Sequence, residues 1–266
     1  MNSATINGIE ISYGDRGSGR PIVFLHAFPL NQSMWDDQVE ALSADYRVIT
    51  PDWRGFGGSS TGPTTMDTFA DDLAGLLDHL GVTEPIICGL SMGGYAAMAF
   101  LRRHPGRISA LILADTRSTP DTEDARRARL DTAAFVRRDD VAILLPGMTQ
   151  RLLGQSTLAT RPDIVERINS MILSANPEGV ARALEAMAAR EDSTGLLRNV
   201  DVPTLIICGE EDVLTPPAEA SQMSRAVHGS QLTLIAGAGH LPNIEKSAEF
   251  NETVMAFLRN ARTLNG

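Results

Sequence analysis

Within a chain of 266 residues, the spacing that most directly implies chemistry is Gly89-Leu90-Ser91-Met92-Gly93. This G-x-S-x-G follows an apolar run, Val82 to Cys88, that reads as a buried strand, and it precedes Met92 to Leu101, which reads as a buried helix. A strand that turns abruptly into a helix strains the turning residue, and glycines two positions to either side remove the Cβ atoms that would collide. Ser91 at that turn would hold its hydroxyl clear of the backbone as a nucleophile. The amides at the start of the helix carry partial positive charge and would stabilise an oxyanion formed beside them. Serines before helices usually serve as N-caps, so the pentapeptide acquires catalytic meaning only from its partners.

A serine hydroxyl becomes nucleophilic when a base accepts its proton and a third group orients the base. Of five histidines, His240 is the best candidate base. It follows the apolar run Gln231 to Ile235 and the small-residue loop Ala236-Gly237-Ala238-Gly239, which can reach across the carboxyl edge of a sheet. His79 falls off the apolar stripe of a helix, His104 sits beside Pro105 at a helix end, and His228 precedes Gly229 in a loop. Two acids compete for the third role. Asp212 follows the run Thr204 to Ile207 in Cys208-Gly209-Glu210-Glu211-Asp212, whereas Asp115 ends the run Ile108 to Ala114. The order Ser91, Asp212, His240 is the nucleophile, acid, base order expected after a strand-to-helix serine, which favours Asp212. The oxyanion needs two amides, and those of Phe28, after the strand Ile22 to Leu25, and Met92 are suitably placed. His26 reads as a brace for that loop.

The elements around these residues predict a mostly parallel, eight-stranded sheet with helices on both faces. Ala4 to Ile6 and Ile9 to Tyr13 alternate around Asn7-Gly8 as an antiparallel edge ribbon. Further strands are expected at Pro21–Leu25, Tyr46–Thr50, Pro85–Gly89, Ile108–Ala114, Thr204–Gly209 and Gln231–Ile235. A helix over Phe69–Leu80 presents Phe69, Leu73, Leu76, Leu77 and Leu80 on one face. After the sixth strand the rhythm stops, and helices are expected over Thr122–Arg138, Asp139–Leu153, Pro162–Leu173 and Pro177–Arg190. The division that follows is a core of residues 1–117 and 200–266 with a helical cap of residues 118–199. An amphipathic helix over Ser247–Arg262 closes the chain. Arg126, Arg127, Arg129, Arg137 and Arg138 alternate with acids and read as a solvated helix face.

Composition narrows the function classes. Lys plus Arg total 23 against 33 acids, and a net charge of −10 argues against a nucleic-acid partner. No apolar stretch approaches a membrane span, and the N-terminus lacks a signal-peptide pattern, so a cytoplasmic location is expected. No Cys/His spacing suggests a metal, and neither a P-loop nor a dinucleotide fingerprint appears, so no cofactor is expected. Cys88 and Cys208 read as small buried hydrophobes on separate strands, too far apart to bridge.

His26-Ala27-Phe28-Pro29, Asp52-Trp53-Arg54-Gly55-Phe56-Gly57-Gly58-Ser59, Gly89 to Gly94, Gly209 to Asp212 and Gly239-His240 together resemble the α/β-hydrolase superfamily. Within it the chain is most similar to small esterases, 3-oxoadipate enol-lactonases and cofactor-free perhydrolases or haloperoxidases. Ala27 stands where many relatives have glycine. The resemblance implies that Ser91 attacks an ester carbonyl, that His240 relays its proton, and that Asp212 orients the imidazole. It also implies a structural role for the Asp52 to Ser59 loop, and it disfavours dehalogenases and epoxide hydrolases, which carry Asp at the nucleophile. Met148, Leu152, Leu153, Met171, Ile172, Leu173, Trp35, Trp53, Val213 and Leu241 are the candidate apolar residues of a pocket between sheet and cap. The implied activity is hydrolysis of small carboxylic esters or lactones. The alternatives are peracid formation, carbon–carbon bond hydrolysis, and a hydrolase-fold ligand receptor.

Overall fold

The computed structural model describes residues 1–264, with side chains described through residue 260. The chain opens as a hairpin in which β1 (Asn2–Ile6) and β2 (Ile9–Arg16) pair antiparallel. Asn7 and Gly8 both take positive φ, 51° and 77°, as a tight two-residue turn demands. The alternation then buries Ala4, Ile6, Ile11 and Tyr13 against Leu76.

Next come β3 (Arg20–Leu25), α1 (Asp36–Leu42), β4 (Tyr46–Pro51), α2 (Met66–His79), β5 (Ile86–Leu90), α3 (Met92–Arg103) and β6 (Ala110–Ala114). A helical segment follows, made of α4 (Glu123–Asp139), α5 (Leu145–Leu152), α6 (Gln155–Thr160), α7 (Pro162–Ser174), α8 (Pro177–Ala188) and α9 (Thr194–Leu197). The alternation resumes with β7 (Thr204–Gly209), α10 (Pro217–Ala226), β8 (Gln231–Ile235), α11 (Pro242–Glu245) and α12 (Ser247–Leu264). The strands form one eight-stranded sheet in the order β1-β2-β4-β3-β5-β6-β7-β8, parallel from β4 to β8. Helices α2 and α3 pack together, as do α1 and α12, and cover the sheet on its two faces.

Register explains why chemistry collects at one edge. Leu90 lies beside Ala114, Ala114 beside Ile207, and Gly209 beside Ile235. The ladder runs one residue past the strands, because Ser91 N–H donates to Ala114 O (3.0 Å), Asp115 N–H to Ile207 O (2.9 Å) and Glu210 N–H to Ile235 O (3.0 Å). Neighbouring strands therefore release the chain at the same level.

Three local differences from the periodicity have clear causes. Helix α2 begins at Met66 rather than Phe69, because Thr65 and Thr68 form a capping box ahead of the apolar stripe. The single helix expected over Asp139–Leu153 is broken. Asp140 sits at φ 82° and caps a 3₁₀ turn, Val141–Leu144, by accepting the Ala142 N–H, and α5 starts only after that turn. Helices α6 and α9, of 6 and 4 residues, are too short for a helical period to register in sequence. Cys88 on β5 and Cys208 on β7 are buried and free on either side of β6. Among the described residues no helix is long and apolar enough to cross a membrane.

Candidate active site

Ser91 is the hinge between β5 and α3, with φ 56° and ψ −113°. Left-handed backbone at a residue bearing a Cβ costs on the order of 1–3 kcal/mol and persists only where the surroundings impose it. Here they do. A Cβ on Gly89 would strike Gly93 O, and a Cβ on Gly93 would strike Leu25 O, so helix α3 can cross this close to β3 and β5 only with bare backbone at both positions. Ser91 occupies the N-cap position, yet its side chain accepts no cap hydrogen bond. That separates it from an ordinary capping serine: the hydroxyl faces a cavity instead of the helix amides. Met92 is the first residue of α3, so its amide is one of the helix's orphan donors.

His240 lines the same cavity. Its Nδ1 is 2.8 Å from Asp212 Oδ2, and both side chains are buried. Asp212 is saturated: Oδ1 accepts the amides of Leu214 (2.7 Å) and Thr215 (3.0 Å), and Oδ2 also accepts the Thr215 hydroxyl (2.6 Å). Burial alone would raise its pKa, but the His240 charge and the hydrogen bonds from His240 and Thr215 outweigh it and hold the carboxyl well below the usual range. An ionised Asp212 fixes the proton of a neutral His240 on Nδ1 and leaves Nε2 as the acceptor. Ser91 Oγ and His240 share no hydrogen bond, although both residues line one cavity. Such contacts commonly tighten only when substrate arrives.

Asp115, the rival acid, is one strand away. Its Oδ1 accepts the Gly209 amide (2.8 Å), its Oδ2 has no hydrogen-bond partner, and no bond links it to His240. Ligating atoms of Asp115, Asp212 and His240 lie within 4.8 Å of one another. Complete burial, reinforced by the neighbouring Asp212 charge, pushes the Asp115 pKa well above the usual carboxylate value. The two carboxyl pKa values are driven in opposite directions, Asp212 downward by the imidazole and its hydrogen bonds and Asp115 upward by burial.

Behind the loop that carries Phe28, His26 is buried, its pKa lowered by burial. Its Nδ1 bonds Ala27 O (3.0 Å) while Nε2 accepts the Trp53 amide (3.0 Å), which braces the loop carrying Phe28 into the cavity. Asp52 pins the adjoining loop by accepting Gln32 N–H (2.8 Å), Gln32 Nε2 (2.7 Å) and Gly58 N–H (3.0 Å). A residue the motifs did not flag holds the His240 loop. Glu245 accepts the amides of Gly239 (2.9 Å) and Leu241 (3.3 Å) through Oε1 and that of Gly154 (2.7 Å) through Oε2.

The cavity, of about 240 Å³, opens between the sheet edge and helices α4, α5 and α8. Met148 lines it as expected, together with Leu184 and Met187 of α8. The other candidate wall residues lie elsewhere, because helical and strand spacing buries apolar side chains regardless of ligand. Trp53 stacks on Phe69 at 4.7 Å, Trp35 packs against Phe24, Leu152 and Leu241 are core, and Val213 is 65% exposed. Leu153, Met171 and Ile172 are likewise buried in the core, and Leu173 faces solvent. The solvated-face reading holds for Arg126, Arg127, Arg137 and Arg138, which are exposed, but not for Arg129, which turns into the cavity. Arg117 and Arg151, absent from the sequence expectations, line it too.

A family model described as the alpha/beta hydrolase fold matches residues 20–247. The chain belongs to that family. Its overall shape is similar to a thermophilic esterase from Thermogutta terrifontis solved with malate bound, at TM-score 0.95 and 42% identity over 98% of both chains. By sequence it is 29% identical to 3-oxoadipate enol-lactonase 2 of Acinetobacter baylyi, over 97% of this chain and 96% of the relative. It is also 31% identical to a putative non-heme chloroperoxidase of Synechocystis, over 97% of each. These hydrolase-family relatives span the helical segment as well as the sheet.

Proposed function

We propose that the protein is a serine hydrolase of small carboxylic esters or lactones. One observation carries this reading: an uncapped Ser91 in left-handed backbone faces the same cavity as His240, whose Nδ1 is held by a buried, ionised Asp212. In the proposed reaction, Ser91 Oγ attacks the carbonyl carbon while His240 Nε2 takes its proton. The oxyanion is stabilised by the amides of Phe28 and Met92, each contributing about 3 kcal/mol. The C–O bond then breaks, His240 returns the proton to the departing alkoxide, and Asp212 stays ionised to stabilise the imidazolium. Water, deprotonated by His240, cleaves the acyl-enzyme. Similarity to the Thermogutta esterase and the Acinetobacter enol-lactonase supports the substrate class. In this reading residues 1–117 and 200–266 are the hydrolase core, and residues 118–199 are a cap that encloses a small substrate.

The test is a panel of short-chain aryl esters and lactones offered to wild type and to Ser91→Ala. Wild type should turn over at least one, and the variant should lose roughly 10⁶-fold in kcat while remaining folded. Equal rates in both proteins would end the mechanism. The likeness to the Synechocystis chloroperoxidase supports a second reading, peracid formation from a carboxylic acid and hydrogen peroxide at the same serine. Peroxide-dependent bromide oxidation in acetate buffer, lost in Ser91→Ala, would give that reading precedence if it outran ester turnover.

A further inference from the structure

A second cavity, of about 170 Å³, lies against the one in front of Ser91. It opens between α3, which contributes Tyr95, Met98 and Ala99, and the end of α8, which contributes Ala186 and, just beyond the helix, Ala189. At its more exposed end Arg102 pairs with Asp67 and, at 3.1 Å, with Glu191. Its other end is shared, because Tyr95 and Arg117 line both this cavity and the one that holds Ser91 and His240. Those two side chains form the partition between the two spaces.

The partition is held in place. Tyr95 stands one helical turn after Ser91, its amide donating to Ser91 O at 3.1 Å, and its side chain is buried. The Arg190 guanidinium lies over its ring, 4.4 Å from the centroid, where a cation is attracted to the ring face. Arg190 is itself fixed, donating to Met187 O (2.8 Å) and Thr119 O (3.0 Å) and pairing with the buried Asp121 at 2.9 Å. Asp121 also pairs with Arg117 at 3.2 Å and with Arg129 at 2.6 Å. Buried tyrosines usually bond their hydroxyl to a partner. That of Tyr95 bonds none among the described residues, so helix α3 and the Arg190 clamp set the place of the ring. A ring that served only as core would have packed side chains around it, whereas this one has open space on two sides. An apolar cavity of about 150 Å³ takes up a benzene ring. The space behind Tyr95, walled by the buried Met66, Met98, Ala99 and Ala186, is of that size.

Resting on the proposed hydrolase reading, we infer that Tyr95 sets the upper limit on substrate size: its clamped ring shuts the second cavity off from Ser91 and excludes esters whose acyl or alcohol part carries a phenyl-sized group. The substrate is confined to the space in front of the serine, about 240 Å³. Removing the ring joins the two cavities and admits the larger group without touching Ser91, Asp212 or His240.

Two pairs of esters, followed by pH-stat, test the inference and find the side that meets the ring. Methyl 4-phenylbutanoate against methyl butyrate varies the acyl part, and 3-phenylpropyl butyrate against propyl butyrate varies the alcohol part. Tyr95→Ala should raise the bulky-to-small ratio of kcat/KM by roughly 10-fold or more in at least one pair. Tyr95→Leu, which keeps more of the packing and so guards against loss of the fold, should raise it in the same pair by a smaller factor. Ala99 lies four residues after Tyr95 on the same face of α3 and lines the second cavity alone of the two. Ala99→Leu should therefore cancel the gain in the Tyr95→Ala protein and leave the ratio unmoved where Tyr95 is present. A ratio unchanged by both Tyr95 variants in both pairs, or a gain that survives Ala99→Leu, would overturn the inference and leave the hydrolase reading standing. Should no ester be cleaved, the hydrolase reading fails, and calorimetric titration of 3-phenylpropan-1-ol and propan-1-ol into wild type and Tyr95→Leu still decides the partition. An affinity gain of at least about 10-fold for the phenyl alcohol alone supports it; any smaller gain, or an equal change for both alcohols, refutes it.

Discussion

At the carboxyl edge of the sheet, every side chain that faces the reacting centre is fixed by backbone. Ser91, Asp115 and Glu210 continue the strand ladder, and Asp212 and His240 follow within loops held by the amide hydrogen bonds of Glu211, Leu214, Thr215, Gly239 and His240. Across the cavity the helical segment contributes Arg129, Met148, Arg151 and Met187, long and flexible side chains carried on helices. In the proposed reaction bond-making at the sheet edge tolerates little displacement, which suits groups held by strand register. Choosing a substrate needs only complementary charge and volume, which side chains on helices can supply and exchange without disturbing the chemistry.

That contrast can be broken or sharpened by substitution. At the sheet edge, Asp212→Asn should cost about 10⁴-fold in kcat, by analogy with other triads, while the fold is kept. Steady-state kinetics beside a circular dichroism spectrum checks this, and a loss below tenfold would remove Asp212 from the proposed role. In the helical segment, Asp121→Asn should act on stability. It leaves three guanidinium groups around an uncharged amide, at a cost of about 3–5 kcal/mol read from urea denaturation.

Asp115→Asn should change kcat by less than about tenfold, since no bond joins Asp115 to His240. Its effect is on stability against pH. The folded pKa is raised, so the contribution of Asp115 is fully present below its unfolded pKa, about 4, and is lost as pH rises toward the folded value. The Tm of the variant minus that of wild type should therefore grow from pH 4 to pH 7. Asp212, whose folded pKa is lowered, has the opposite sign: its contribution is present above about pH 4 and lost on acidification below it. The smallest effect is expected at Arg138→Ala, an exposed pair with Asp139, where the urea denaturation midpoint should not move measurably.

Sequence carried the sheet edge well and the opposite wall poorly, for physical reasons. Ser91 was legible because a close helix-to-strand crossing leaves two glycines at fixed distance, and the strands were legible because buried parallel strands are continuously apolar. Asp115 and Asp212 look alike in sequence, each an acid after an apolar run, and chain order was the only discriminator. Glu245 was invisible because the Gly154 amide that it accepts comes from far along the chain, and the nearer Gly239 amide reaches it only through the folded shape of the loop. Arg129 shares its acid-interleaved pattern with the solvated Arg126 and Arg127. A signal was nonetheless present, since Ala125, Ala128 and Thr132 fall on the same helix face as Arg129, and a face of small residues under one cation leaves room for a ligand.

The backbone of His240 donates to Leu152 O at 3.0 Å, and Gly154 N–H donates to Glu245 at 2.7 Å. The imidazole loop is thereby laced to the end of α5. A partly melted state that frays α5 releases the imidazole's own anchorage, so the cavity wall and the proposed base fail together. Residual activity under mild denaturant then becomes a direct gauge of how intact the helical segment is.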